Sequence, residues 1–368
     1  MNFRILKKSF AIFSIFALLS LHAEETNQLN KTNKTSEQTS EDPTDALSGT
    51  KGDELLEIVQ AYRKIGPSGS SKIIDELLKT PKYWTKLLQN QDTDFGYYEN
   101  SKYLFISNKT IPMLWLYKIE DGNLIELKRI NSIVGFGKGA KKLEGDKVTP
   151  IGVYDFVTRI TKLNQYYGPV ALTTNYPNAY DRSHKRTGYG IWIHGLPLDG
   201  KRNANTRGCI AIENDTLKQF DKQVDLHKTL LISYEKSIPK VEKSELASIL
   251  SMLYQWKSSW KKNEIKKYLS FYTTNFIKSD GKSQGGIGLR AFSDYKARVF
   301  AKNEHKTIQF NGIDISPYPN DEGKKMFVVR FLQDYVAYQG AKISYRSKDT
   351  KELYIEMKDN KPLIAIEK

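Results

Sequence analysis

Large apolar side chains are distributed unevenly along the chain, and their spacing changes character several times. A first run, Phe10 to Leu21, is continuous but too short to span a bilayer, and it follows Arg4, Lys7 and Lys8. With Leu21-His22-Ala23 in the place of a small-residue cleavage site, residues 1–23 read as a secretory signal peptide, an uncleaved anchor being the alternative. The mature protein is therefore expected to start near Glu24, outside the cytoplasm. Residues 24–52 hold almost no large apolar side chains and cannot bury enough to offset ordering entropy, which predicts a flexible linker.

From residue 53 the period becomes helical. Leu55, Ile58, Val59 and Tyr62 share one face, GPSGSS at 66–71 breaks the run, and Ile73, Ile74, Leu77 and Leu78 repeat it. Pro81 opens a third segment with Trp84, Leu87 and Leu88 on its apolar side. Residues 53–101 thus form a small helical N-terminal domain, too small to be stable alone. It is expected to dock on the domain that follows it, with a homodimer contact as the sharper possibility.

Between 102 and 236 the period shortens to that of strands. Tyr103–Ser107, Met113–Ile119 and Leu124–Ile133 are rich in aliphatic and aromatic residues, and Asp121-Gly122 supplies the hairpin turn between the last two. Thr149–Tyr154 reads as a turn feeding another strand, further strands are expected at Tyr166–Leu172 and Gly190–His194, and a short helix at Asp215–Gln223. The GFGKG stretch at 135–139 lacks the lysine and hydroxyl spacing of a phosphate loop and reads as a loop or bulge. From 241 to 368 the layout is α+β. Leu246, Ile249, Leu250, Leu253, Trp256 and Trp260 mark a long helix, KNEIKKYLSFYTTNF a second and Ala291–Phe300 a third, and a series of antiparallel strands follows. The fold class is accordingly multidomain: a mainly β domain between a helical unit and an α+β domain.

Charge adds one constraint. Lysine and arginine number 57 against 42 acids, a net charge of +15, and loss of residues 1–23 leaves about +12. The cations are spread out, so they describe a solvated basic surface suited to acidic partners, and nucleic acid is not expected for an exported chain.

Candidate chemistry centres on Cys209, which is the only cysteine and lies fifteen positions after His194. A single thiol cannot form an internal disulfide; it is buried ballast, an intermolecular link or a reactive group. As a nucleophile it needs a base, because the unperturbed thiol titrates near ~8.5. His194, at a strand end, would supply it if residues 196–207 fold back, and Arg202 and Arg207 would add positive potential. Gly208 lets backbone N–H groups, its own and that of Cys209, approach a substrate carbonyl as an oxyanion hole. The carbonyl of Gly195 would accept the second imidazole N–H and fix the tautomer. The scattered His184, His194, His227 and His305 lack zinc-site spacing, so no metal and no cofactor is expected, and His184 in DRSHKRTG reads as solvent-exposed.

TPIGVYDF, NYPNAYD, TGYGIWIHG and TRGCIAI, in this order, resemble the YkuD family of L,D-transpeptidases over residues 102–236. The resemblance implies a β-sandwich-like catalytic domain, Cys209 as nucleophile, His194 as base and the Gly195 carbonyl as its orienting group. Thr206, Arg207, Arg202, Trp192 and Tyr189 would contact substrate. Many members carry arginine two positions after the cysteine where this chain has Ala211, so the substrate carboxylate would be met by Arg207 or Arg202. Residues 241–368 resemble an NTF2-like domain, a cone whose pocket could take a glycan or peptide. The combination is similar to the cell-shape-determining L,D-carboxypeptidases of helical Gram-negative bacteria. It implies action on peptidoglycan stem peptides, with tetrapeptides trimmed to tripeptides by cleavage between meso-diaminopimelate and D-Ala. An L,D-transpeptidase forming 3-3 crosslinks and a non-catalytic wall-binding scaffold are the alternatives.

Overall fold

The computed structural model describes residues 52–368 apart from Arg202 and Asn203, so the expected signal peptide and nearly all of the expected linker lie outside the described residues. Helices α1 (Gly52–Ile65) and α2 (Pro67–Leu78) form a hairpin. The break between them is narrower than GPSGSS suggests. Gly66 alone, at φ 77°, turns the chain, and Pro67 starts α2 where its missing N–H costs nothing. Gly69 faces α1 so closely that a Cβ there would lie 2.8 Å from that of Ile65.

Helix α3 (Pro81–Leu87) docks on the C-terminal domain instead of the domain that follows it in sequence. Trp84 stacks on Tyr254 at 5.5 Å, and its indole N–H donates to the Leu78 carbonyl. Strand β1 (Tyr97–Tyr98) then joins the C-terminal sheet. The expectation of docking on the neighbour in sequence fails because the apolar complement of Trp84 and Leu88 is the long C-terminal helix.

The central domain contains β2 (Tyr103–Asn108), β3 (Met113–Glu120), β4 (Asn123–Asn131), β5 (Gly152–Ile160), β6 (Ala171–Thr174), the short helix α4 (Ala179–Ser183), β7 (Trp192–His194), β8 (Ile210–Ala211), α5 (Asn214–Gln223) and β9 (Thr229–Tyr234). Its eight strands run in the order β4-β3-β2-β9-β5-β6-β7-β8. Strand β5 joins two ladders: residues 152–155 pair with β9, and residues 156–160 pair with β6 across a register shift between Phe156 and Thr158. Both halves contribute to one core with α5, in which Phe105 meets Phe156 and Phe220, and Leu172, Ile193 and Ile210 are fully buried. The strand expected over Tyr166–Leu172 begins only at Ala171, because a 3-10 turn at Gln165–Tyr167, capped by Asn164, precedes it.

The C-terminal domain contains α6 (Lys243–Lys261), α7 (Ile265–Leu269), β10 (Tyr272–Lys278), β11 (Ile287–Gly288), α8 (Leu289–Ala301), β12 (His305–Pro317), β13 (Met326–Gln339), β14 (Lys342–Lys358) and β15 (Lys361–Glu367). Its sheet order is β1-β12-β13-β14-β15-β10-β11. The helix expected through KNEIKKYLSFYTTNF stops at Leu269, since Tyr272, Thr273 and Thr274 favour extended backbone and β10 pairs in parallel with β15.

The two sheets share a core. Ile106, Val153 and Ile232 pack with Tyr318, Met326, Val328, Tyr354 and Ile366, all at most 3% exposed. Polar ties cross the same seam. Asn178 donates to the Tyr318 hydroxyl at 3.0 Å, Arg330 pairs with Glu352 at 3.0 Å and reaches Asp155 at 3.6 Å, and Arg186 pairs with Asp181 and Asp321. Burial pushes the Asp181 carboxyl up to about 6 even though Arg186 opposes it. His184 is exposed, as expected, while its ring stacks on Tyr180 at 4.1 Å and bonds to Glu322 at 2.9 Å beside this seam.

Candidate active site

Strands β7 and β8 run parallel in the register Ile193 with Ile210 and His194 with Ala211. Side chains alternate across a sheet, so His194 shares a face with Ala211, and that face continues to Cys209 one residue before β8. Base and thiol thus belong to neighbouring strand ends, with Cys209 two positions before the residue paired with His194. Strand β8 returns to pair beside β7. Cys209 is half-buried, and its thiol donates to the carbonyl of Gly190 at 3.4 Å.

The turn before the thiol is tied down on both sides. Thr206 accepts the N–H of Gly208 at 3.1 Å and donates to the carbonyl of Cys209 at 2.6 Å, while its own N–H bonds to Val134 at 2.9 Å. The Gly208 N–H, expected as an oxyanion donor, is therefore occupied by the Thr206 hydroxyl, which takes it out of that role in this conformation. Glycine is required at 208 on two counts: φ is 122°, and a Cβ would lie 3.0 Å from the Val148 carbonyl oxygen. GFGKG is a loop, and its purpose is close approach. A Cβ on Gly135 would lie 2.2 Å from the Lys147 carbonyl oxygen and 3.0 Å from Gly208 Cα.

His194 is 2% exposed, and its Nδ1 lies 2.7 Å from the carbonyl oxygen of Gly195. A carbonyl only accepts, so that bond places the proton on Nδ1 and leaves the Nε2 lone pair to accept one. The glycine at 195 makes room rather than freeing the backbone. A Cβ there would fall 2.2 Å from Asn214 Oδ1 and 2.9 Å from Pro169 Cδ. Asn214 accepts the Leu196 N–H at 2.8 Å, and the Tyr167 carbonyl accepts that of Gly195 at 2.9 Å. Tyr167 also sets its ring edge-on to His194 at 5.1 Å and to Trp192 at 5.3 Å. Neither Asn214 nor Tyr167 stood out in the sequence. An asparagine five positions past the cysteine, at the start of a helix, was the available signal.

The other expected substrate contacts are dispersed. Tyr189 is 76% exposed, Arg207 is exposed, Trp192 is half-buried beside Tyr167, and Arg202 lies outside the described residues. Ala211 is fully buried and its backbone bonds twice to Ile133 at 2.8 Å, so this position presents no cation. Phe136, 77% exposed, and Leu198 are further large apolar side chains on the loops flanking the thiol. Among the described residues, no three His, Cys, Asp or Glu side chains gather as a metal site would require.

Residues 101–232 match the L,D-transpeptidase catalytic domain YkuD, and residues 248–368 match the Cds6 C-terminal NTF2-like domain. The chain is 34% identical to the helical cell shape determining protein Pgp2 from Campylobacter jejuni, covering 79% of this chain and 99% of that one at a TM-score of 0.71. The chain belongs to the YkuD L,D-transpeptidase family. A mutant form of Pgp2 aligns over the same shares at 34% identity with a TM-score of 0.73. Bd1075 of Bdellovibrio bacteriovorus shares the fold at 21% identity and a TM-score of 0.57, over 73% of this chain and 92% of its own. No curated protein sequence matches.

The NTF2-like domain of this YkuD-family protein also carries a pocket of about 760 Å³. Trp260, Phe292 and Tyr335 line it together with Lys296, Lys351 and Glu367. Lys296 is buried, with its ammonium 4.4 Å from the Trp260 ring centroid. Burial lowers its pKa to about 8. Glu367, 1% exposed, pairs with Lys351 at 2.8 Å and accepts from Tyr272 at 3.0 Å. Burial works against its charge, but Lys351 and Lys296 outweigh it and hold the carboxyl down at about 2.

Proposed function

We propose that this protein is a periplasmic peptidoglycan L,D-carboxypeptidase that trims tetrapeptide stems to tripeptides and thereby influences cell shape. The observation that carries the reading is the Nδ1 bond of His194 to Gly195, which leaves Nε2 as a base on the face that carries the single thiol. His194 takes the proton of Cys209, and the thiolate attacks the carbonyl of the L-centre of meso-diaminopimelate. A C–S bond forms and the carbonyl π pair moves to oxygen. On collapse the C–N bond breaks, and the D-Ala amine leaves with the proton from His194. Water, deprotonated by the same imidazole, then hydrolyses the thioester, returning the sulfur as thiolate and the proton to the His194–Cys209 pair. Family membership supports the acyl-enzyme half of this scheme. The similarity to the helical cell shape determining protein Pgp2 supports the biological setting. Loss of the cation at Ala211 removes one anchor for a second stem carboxylate, which favours water as acceptor.

The cavity of the NTF2-like domain is proposed to hold a glycan or peptide portion of the same polymer. Its aromatic wall offers stacking surface, and Lys296 and Lys351 offer charge to a carboxylate. The test of the catalytic reading is incubation of the purified protein with disaccharide tetrapeptide, followed by mass analysis of the muropeptides. Conversion to tripeptide with release of D-Ala is expected. Crosslinked 3-3 dimers would make the protein a transpeptidase, and binding without turnover would make it a scaffold.

A further inference from the structure

The group that orients the base is a peptide carbonyl, and something must hold that peptide. In a trans peptide the C=O and the following N–H point in opposite directions, so fixing one fixes the other. The Gly195 carbonyl points at His194 Nδ1 at 2.7 Å, and the N–H of the same peptide, that of Leu196, points at Asn214 Oδ1 at 2.8 Å. The two bonds grip one peptide plane from its two edges. We infer that Asn214 is the positioning residue for this site: its side-chain oxygen sets the plane of the Gly195–Leu196 peptide, and through it the tautomer and orientation of His194.

Three further observations agree. A Cβ on Gly195 would lie 2.2 Å from Asn214 Oδ1 and one on Gly168 would lie 2.6 Å from it, so the backbone is stripped of side chains where this amide enters. Asn214 is the first residue of α5, anchored by the Glu213 side chain, which accepts from Asp215 and Thr216 at 2.7 Å each. That helix packs Leu217 and Phe220 into the core beneath β7 and β8, giving the amide a fixed base. The chain also returns from β8 directly into α5, with the Ile212 N–H bonded to the His194 carbonyl at 3.0 Å. Thiol, base and positioning amide therefore sit on one short stretch of connected backbone.

The inference rests on Cys209 being the nucleophile and His194 its base, and the test separates the two. Because Cys209 is the only thiol, its alkylation by iodoacetamide reports thiolate formation at one atom, whatever the substrate. The rate is measured against pH for the wild type, Asn214→Asp, Asn214→Leu and His194→Ala. Asn214→Leu keeps the size and removes the acceptor. Its profile is expected to move up toward the free-thiol value near ~8.5, with reactivity at neutral pH falling by about tenfold. Asn214→Asp keeps an oxygen in place and is expected to stay within about threefold of the wild type. Should the leucine variant not fold, Asn214→Ala takes its place with a shift in the same direction. Profiles that coincide for wild type and Asn214→Leu, or for the Asp and Leu variants, would overturn the inference. A wild-type profile unchanged by His194→Ala would overturn the nucleophile–base reading itself.

Discussion

The thiol site and the C-terminal cavity are built by opposite means. Around Cys209 and His194 the geometry is held by backbone: the Gly195 carbonyl, the Gly208 N–H, the Val134, Tyr167 and Gly190 carbonyls, and glycines at 135, 168, 195 and 208 that let these strands touch. Around Lys296 it is held by side chains, with buried charges set against each other and against aromatic rings. Backbone cannot be substituted away, so a site made from it tolerates little displacement and suits chemistry that depends on near-contact geometry. A cavity of opposed charges responds to pH and suits recognition. Substitutions that reach one region without the other test that division.

The largest effect is expected at the sulfur. Cys209→Ala should lower turnover of tetrapeptide by at least about a thousandfold, as loss of a nucleophile does, while leaving binding in the C-terminal cavity unchanged. Muropeptide analysis and calorimetry on the same preparation read both. Residual turnover near wild type would place the chemistry elsewhere.

Next comes the turn after the base. Gly195→Ala drives a methyl into Asn214 Oδ1, where the available separation is 2.2 Å, so the peptide that orients His194 must rotate or shift. A displacement of that order is expected to cost about a hundredfold in kcat with little change in KM. An active alanine variant would show that the carbonyl contact is dispensable.

The cavity should answer to pH where the thiol site does not depend on its lysine. Lys296 loses its proton as pH rises through about 8, so affinity for a carboxylate-bearing muropeptide fragment is expected to fall by about tenfold between pH 7 and pH 9.5. Lys296→Met should bind weakly at both. The stability sign is opposite for the same group: between about 8 and the ordinary lysine value the unfolded chain holds more protons, so stability from Lys296 rises with pH. Glu367, held down at about 2, contributes stability that is present above the ordinary glutamate range and is lost as pH falls through it toward 2. Equal affinity at pH 7 and 9.5 would remove Lys296 from recognition.

The same contrast explains what the sequence made legible. A site fixed by backbone leaves a short, rigid trace: His194-Gly195 and Thr206-x-Gly208-Cys209 are separated by one loop, and the strand period places both at the ends of neighbouring elements. Asn214 and Tyr167 escaped because their roles lie in one acceptor atom and one carbonyl, which no pattern of residue types displays. Trp256, Trp260 and the apolar face of α6 gave the C-terminal core, but not that Lys296 lies buried over Trp260 or that Glu367 faces it, since a charged residue on a periodic helix reads as solvated. The docking of α3 on α6 was illegible for a different reason. It joins segments more than 150 residues apart, and Trp84 does not encode which apolar surface it will meet.

The smallest effect bears on a side chain that, like Asn214, ties the backbone of this site. Thr206 bonds to both sides of the nucleophile turn, taking the Gly208 N–H and giving its proton to the Cys209 carbonyl. Thr206→Val keeps the shape and removes both bonds, at a cost of about 1–2 kcal/mol to folding, read as a lower Tm. Two consequences for rate oppose each other. The turn loosens, which misplaces the sulfur, but the Gly208 N–H is released toward the oxyanion role that Thr206 denies it. If backbone rigidity dominates, kcat falls by about threefold to tenfold despite the extra donor. A valine variant that turns over faster than wild type while melting lower would show that the hydroxyl restrains an oxyanion donor, and that stability in this site is held at the expense of rate.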